Sequence, residues 1–197
     1  MISVKGTIEK VRTRLRDDDS ENYRFGDVLL LDALNNAYLD LNYKFKLNVK
    51  KYTKQINQQD NILRTAKMFL SFEKAYLNGK TIPIQPFNDK AESLQISTFS
   101  DFQSLIVLPS ASANGNLEVY VNEALKLELE DLLDSGDFLE NALIFSSLIS
   151  IFQIESNEAN LQRVNFYEQL YKRECDRLRG LISGTREARS FITKFHY

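Results

Sequence analysis

Two residue types that enzymes use heavily are almost missing. Among 197 residues there is one cysteine, Cys175, and one histidine, His196. A lone cysteine excludes an internal disulfide and suits a reducing compartment. One cysteine and one histidine cannot build the usual zinc ligand set. A catalytic histidine needs a positioned neighbour, which His196 is not expected to have. The seven glycines are scattered and form no phosphate loop. No catalytic residue, cofactor or metal is therefore expected.

Long apolar runs are also lacking. The longest, ALIFSSLISIFQI from Ala142 to Ile154, contains three serines. A bilayer span needs roughly 20 apolar residues, so this run reads as a buried helix. The opening residues MISVKGTIEKVRTRL carry charges too densely for a secretory signal. No membrane partner is expected. The formal net charge is only -2, and the pI near 5.6 argues against a dedicated nucleic-acid binder.

Helical periodicity is clear at both ends. Val4, Ile8, Val11 and Leu15 share one face, with Lys5, Lys10, Arg12, Arg14 and Arg16 on the other sides. DDDSEN, Asp17 to Asn22, breaks that helix with side chains that favour turns. Its acids lack the spacing of a calcium loop. Asp27 is a candidate N-cap for a second helix, on which Leu30, Leu34, Ala37, Leu41 and Phe45 form one stripe. Lys44 to Asn61 is polar and reads as either more helix or loop.

The middle changes period. Met68 to Tyr76 alternates imperfectly up to Asn78-Gly79, a strong two-residue hairpin signal because both positions of a type I′ turn need positive φ. Lys80 to Gln85 reads as the returning strand, and Pro86 to Ser100 as loop. Gln103 to Val121 reads as a second hairpin, with SASANGN, Ser110 to Asn116, at its turn. Leu117, Val119 and Val121 alternate there with Glu118, Tyr120 and Asn122.

Asp137 would cap a third helix that is apolar nearly all round. One stripe is Phe138, Ala142, Phe145, Ile149 and Phe152; Leu139, Leu143, Ile144, Leu148 and Ile151 lie beside it. Leu161, Val164, Tyr167, Tyr171, Cys175 and Leu178 mark a fourth helix expected to end at Gly180. Cys175 then reads as a small buried hydrophobe.

Charge is segregated. Residues 123–140 carry seven acids, among them Glu128, Glu130, Asp131 and Asp134, against Lys126 alone. Residues 172–197 carry seven cations, among them Arg173, Arg177 and Arg179, against three acids. Such runs are commonly solvated faces. The sharper reading is head-to-tail pairing of identical subunits. The end of the chain, TREARSFITKFHY, either packs on its own domain or docks in a partner's groove. Its candidate docking residues are Arg186, Arg189, Phe191, Ile192, Lys194, Phe195 and Tyr197.

Taken together, the segments VRTRLRDDDSENYRFGDVLLLDALNNAYLDL, LSFEKAYLNGKTIPI, SLIVLPSASANGNLEVYV and FLENALIFSSLISIFQIESNEANLQRVNFYEQLYKRECDRLRG give a chain that resembles the head-to-tail adaptor (connector) proteins of tailed bacteriophages. The likeness runs from about Val4 to Gly180; Asn61 to Leu70 lacks the family's proline-containing strand entry. The resemblance implies a mainly α fold: a four-helix core, a small antiparallel β insertion between helices 2 and 3, and an extended C-terminal tail. Residues 1–182 would be one helical domain, with 62–130 as the β-rich insertion and 183–197 as the docking tail. It implies a non-enzymatic virion protein at the head–tail junction, made in the bacterial host cytoplasm. Its partners would be the portal protein above, identical subunits in a ring, usually of twelve, a downstream tail or nozzle protein, and DNA touched non-specifically in the channel. The rivals are another virion or bacterial interaction module, and a metal-dependent nuclease using the acidic segments.

Overall fold

The computed structural model describes residues 1–133, 139–154 and 157–192, the segment 184–192 by its backbone. The chain forms two compact units: Met1–Leu41 with Lys126–Tyr197, and Asn42–Leu125.

In the first unit, β1 (Ile2–Ser3) pairs antiparallel with β9 (Leu132–Leu133). Helix α1 (Val4–Leu15) follows at once. Ser3 caps it, its hydroxyl accepting from the Gly6 N–H at 3.1 Å and so satisfying one of the free donors of the first turn. Arg16 closes the helix in the left-handed conformation, φ 56°. Val4, Ile8 and Val11 are buried as the spacing requires. Helix α2 (Asp27–Phe45) buries Leu30, Leu34, Ala37 and Leu41. Asp27 is its first residue rather than a residue preceding it.

Helix α3 (Glu140–Ile154) packs on α1 and on α4 (Glu158–Ile192). Its buried stripe is Leu143, Ile144, Leu148 and Ile151 together with Ala142 and Phe152, whereas Phe145 and Ile149 are half-exposed. The apolar run is thus a core helix. Among the described residues no helix is long and apolar enough to cross a membrane. Asp137 and Phe138 lie outside the described residues. In α4, Val164, Cys175 and Leu178 are buried and Leu161 is exposed. Phe152 stacks on Tyr167 at 5.8 Å, and Tyr171 donates to the Asp40 carboxylate at 2.7 Å.

The second unit holds the strands β2 (Val49–Ile56), β3 (Ile62–Arg64), β4 (Phe69–Leu77), β5 (Lys80–Thr81), β6 (Gln95–Thr98), β7 (Ser104–Leu108) and β8 (Gly115–Glu123). They form two antiparallel sheets, ordered β2-β8-β4-β5 and β3-β7-β6. Both sheets feed one core, with Ile56, Phe69, Ala75, Leu77, Leu117 and Val119 from the first and Leu63, Ile96, Leu105 and Val107 from the second.

These observations correct the expected mainly α fold. Nine strands in three antiparallel sheets accompany the four helices of the described residues, with about 26% strand against 43% helix, so the fold is mixed α/β. The strands of the second unit begin at Val49, in the stretch read as helix or loop. Pro86 to Ser100 is not simply loop, because it contains β6. The expected second hairpin does not form: β7 and β8 pair in different sheets. An extended tail from residue 183 is also corrected, since the α4 backbone runs through Gly180 and on to Ile192. A glycine weakens a helix by about 1 kcal/mol relative to alanine and need not end one.

The Asn78-Gly79 turn does form, with φ values of 51° and 78° at its two central residues. Asn78 also clamps the start of β8, accepting from the Asn116 N–H at 2.9 Å and donating to the Asn114 carbonyl at 3.0 Å. Gly115 lies between those two residues with φ 127°, and a Cβ there would overlap the Asn78 amide. Gly115→Ala is therefore expected to destabilise the protein by about 1–3 kcal/mol, read as a lower urea midpoint at unchanged m value.

Candidate interaction surface

The helical unit carries an open cleft of about 530 Å³. It is built where α1 ends and α4 begins, with α3 contributing its last turn. Arg14, Leu15 and Arg16 come from α1, Phe152 from α3, and Ala159, Gln162, Arg163, Phe166 and Tyr167 from α4. Among the described residues its wall has three guanidinium groups, three aromatic rings and no acidic residue. Arg163 lies over the Phe152 ring at 5.3 Å and Arg14 over Phe145 at 5.9 Å. Phe166 is 56% exposed. Arginine held on an aromatic face keeps its fork free for carboxylate or phosphate.

The acidic segment sits elsewhere in the same unit. Val4 N–H donates to the Asp131 carbonyl at 3.1 Å, and β9 continues from there, so the segment is pinned to the start of α1. The Asp131 carboxylate accepts from the Glu128 N–H at 2.8 Å and holds a turn. Glu128 and Glu130 are exposed, and Leu132 beside them is 61% exposed. Asp134 lies outside the described residues.

On α4, Arg173, Arg177 and Arg179 are exposed. Two of them already have acidic neighbours one turn away: Arg177 reaches Glu174 at 3.7 Å and Arg179 reaches Asp176 at 2.6 Å. Exposed pairs of this spacing contribute little stability. Of the candidate docking residues, Arg186, Arg189, Phe191 and Ile192 fall on the helical backbone of α4. Lys194, Phe195, Tyr197 and His196 lie outside the described residues.

The DDDSEN loop is organised around Asp17, which is buried and accepts from Arg12, from Arg24 N–H and from Phe25 N–H. Arg12, expected on an outer side of α1, is 4% exposed. It follows Val11 and lies one turn after Ile8, at the margin of the buried stripe. Among the described residues no group of three metal-ligating side chains is close enough to hold an ion. Cys175 is buried beside Tyr171, and burial, followed by the Asp40 hydrogen bond, pushes the Tyr171 phenol well up.

The β-rich unit has a surface of its own. Tyr120 of β8 sits in register with Lys51 of β2 and Lys74 of β4. Lys74 lies 4.5 Å from the centre of the Tyr120 ring, and Tyr76 meets Tyr120 edge to face at 6.2 Å. Glu118, in register with Tyr76, holds Lys51 at 2.8 Å and raises its ammonium pKa.

Sequence reasoning noted Arg14 and Arg16 as part of a basic helix face but did not join them to Arg163 and Phe166. The only available signal was the RVNFY motif, whose arginine and aromatics fall within one helical turn. No protein-family model matches the chain, and a search of curated proteins finds no significant match.

Proposed function

We propose that the protein is a structural adaptor, assembling as a ring at the head–tail junction of a tailed bacteriophage between the portal protein and the next tail component. The reading rests on the resemblance in element order. The observation that carries it furthest is the pair of oppositely charged, exposed surfaces on the helical unit. One is the segment with Glu128 and Glu130; the other is the arginine-bearing side of α4 and its adjoining cleft. A molecule with two unlike complementary surfaces associates head to tail, and a ring results when the rotation closes. Repetition around a ring lets individually weak contacts add as avidity.

In this reading the C-terminal part of α4, with Arg186, Arg189, Phe191 and Ile192, belongs to the portal-docking segment, residues 183–197. The Lys51, Lys74 and Tyr120 face offers contact without sequence reading to phosphates in a channel. The function would be exercised in the virion after synthesis in the host cytoplasm.

The test is to mix the protein with the portal protein of the same genome and follow it by sedimentation and electron microscopy. A stoichiometric ring on the portal is expected. Truncation after Ile182 should abolish portal binding while the circular dichroism spectrum of the helical unit persists. A full-length protein that never joins the portal would refute the adaptor role.

A further inference from the structure

Helix α1 is a polar object. Its N-terminal end holds the acidic segment through the Val4–Asp131 hydrogen bond and the β1–β9 pairing. Its C-terminal end supplies Arg14 and Arg16 to the cleft. Each charge sits at the end where the helix dipole favours it. From Val4 to Arg16 the helix rises about 18 Å at 1.5 Å per residue. The acidic segment is fixed at one end by backbone pairing, so it cannot reach the cleft of its own chain.

We infer that the cleft formed by Arg14, Arg16, Arg163, Phe152, Phe166 and Tyr167 receives the Glu128–Leu132 segment of a second copy of this chain. The inference rests on the ring reading above and names its contact. Glu128 and Glu130 meet the guanidinium forks, and Leu132 meets the aromatic floor. Arginine suits this role because its planar fork takes a carboxylate with two parallel hydrogen bonds. Leu132, 61% exposed on a two-residue strand, supplies the apolar anchor that a charge-only contact would lack. A phosphate-bearing strand would satisfy the arginines yet leave Leu132 bare, so the second copy accounts for more of what is exposed. The contact also differs from one made through Arg177 and Arg179, which have acidic neighbours on their own helix. Because segment and cleft lie at opposite ends of α1, every copy offers one of each, and the contact repeats in one direction.

Charge reversal on each side separates the outcomes. The full-length chain is prepared as wild type, as Arg14→Glu with Arg163→Glu, as Glu128→Arg with Glu130→Arg, and with all four changes. Self-association is measured by sedimentation, alone and on the portal protein. Both two-site variants should associate at least about tenfold more weakly. The four-site chain, whose complementarity is restored in the opposite sense, should recover most of the loss. In an equal mixture the two-site variants should co-assemble in alternation, because the segment of each complements the cleft of the other; a mixture that stays as unassociated as either variant alone would count against the contact. All these positions are exposed; the milder Arg14→Gln with Arg163→Gln stands in if a reversed chain does not fold, and should also weaken association.

Two-site variants that assemble like wild type would overturn the inference and leave the ring reading intact. A wild-type chain that self-associates neither alone nor on the portal would overturn both. If reversing Arg14 and Arg163 instead abolishes retention of a fluorescent oligothymidylate while assembly is unchanged, the cleft is a nucleic-acid site and the inference falls.

Discussion

Asp17→Ala should destabilise the protein by about 3–5 kcal/mol, the usual consequence of removing one partner from a buried ion pair. The side chains of Arg12 and Asp17 are each 5% exposed and meet at 2.7 Å. The same carboxylate accepts from the Arg24 N–H at 2.7 Å and the Phe25 N–H at 3.2 Å. Tyr23 lies over the Arg12 guanidinium at 3.6 Å. Removing the carboxylate leaves a buried cation facing two unpaired amides. Asp27, at 2.6 Å from the other side of Arg12, is 63% exposed and cannot replace it. Whole-protein stabilities of about 5–15 kcal/mol make this a large fraction of the total. Urea unfolding followed by circular dichroism checks it. Asp17→Asn, which keeps acceptors but not charge, should lose less than Asp17→Ala, and Asp27→Ala less again. A loss under 1 kcal/mol for Asp17→Ala would mean that the loop does not depend on this pair.

Asn42→Ala should cost about 3 kcal/mol, since it orphans several buried polar groups that are each worth about 1–3 kcal/mol. Asn42 is fully buried. Its side-chain oxygen accepts from the Leu47 and Asn48 N–H groups at 3.0 Å each, and its amide donates to the Glu123 carbonyl at 2.8 Å. Its own carbonyl accepts from the Asn122 amide at 2.9 Å, and Lys46 follows in the left-handed conformation, φ 56°. One residue thus ends α2, turns the chain and positions the approach to β2 beside β8. In a protein of this size the loss corresponds to a fall in Tm of about 10 °C. Asn42→Asp, which keeps the two acceptor bonds but aims a carboxylate at the Glu123 carbonyl, should fall between wild type and Asn42→Ala. A Tm within 2 °C of wild type for Asn42→Ala, about what a loss under 1 kcal/mol would give, would show that solvent replaces these bonds.

Arg12 and Asn42 share a lesson. Both lie on helices whose apolar faces were legible from spacing alone, yet neither polar role was. Arg12 looked like one of five cations on the outer sides of α1, and Asn42 lay at the end of the α2 stripe. Their importance comes from partners outside their own helices: Asp17 in the loop after α1 for Arg12, and Asn122 and Glu123 for Asn42. The same holds for the cleft, where Arg14 and Arg163 come from helices separated by most of the sequence.

Features that depend on near neighbours in the chain were legible from the residues alone. Val4, Ile8 and Val11 specify the buried face of α1 because residues three and four apart share a side of a helix. Asn78-Gly79 specifies a turn because both residues accept positive φ. The run from Ala142 to Ile154 is a core helix because it is too short and serine-rich to span a bilayer.

The strands and their partners, by contrast, depend on contacts between segments far apart in the chain. VKKYTKQI of β2 carries three lysines and shows no apolar alternation, yet eight of its residues pair with β8. Ser104–Leu108 and Gly115–Glu123 are neighbours in sequence but belong to different sheets. The fate of Gly180 was likewise not local, for α4 continues through it. A strand has no hydrogen bonds of its own. Its existence, register and exposed face come from pairing and packing against segments far along the chain, and a single sequence read locally does not contain those energies.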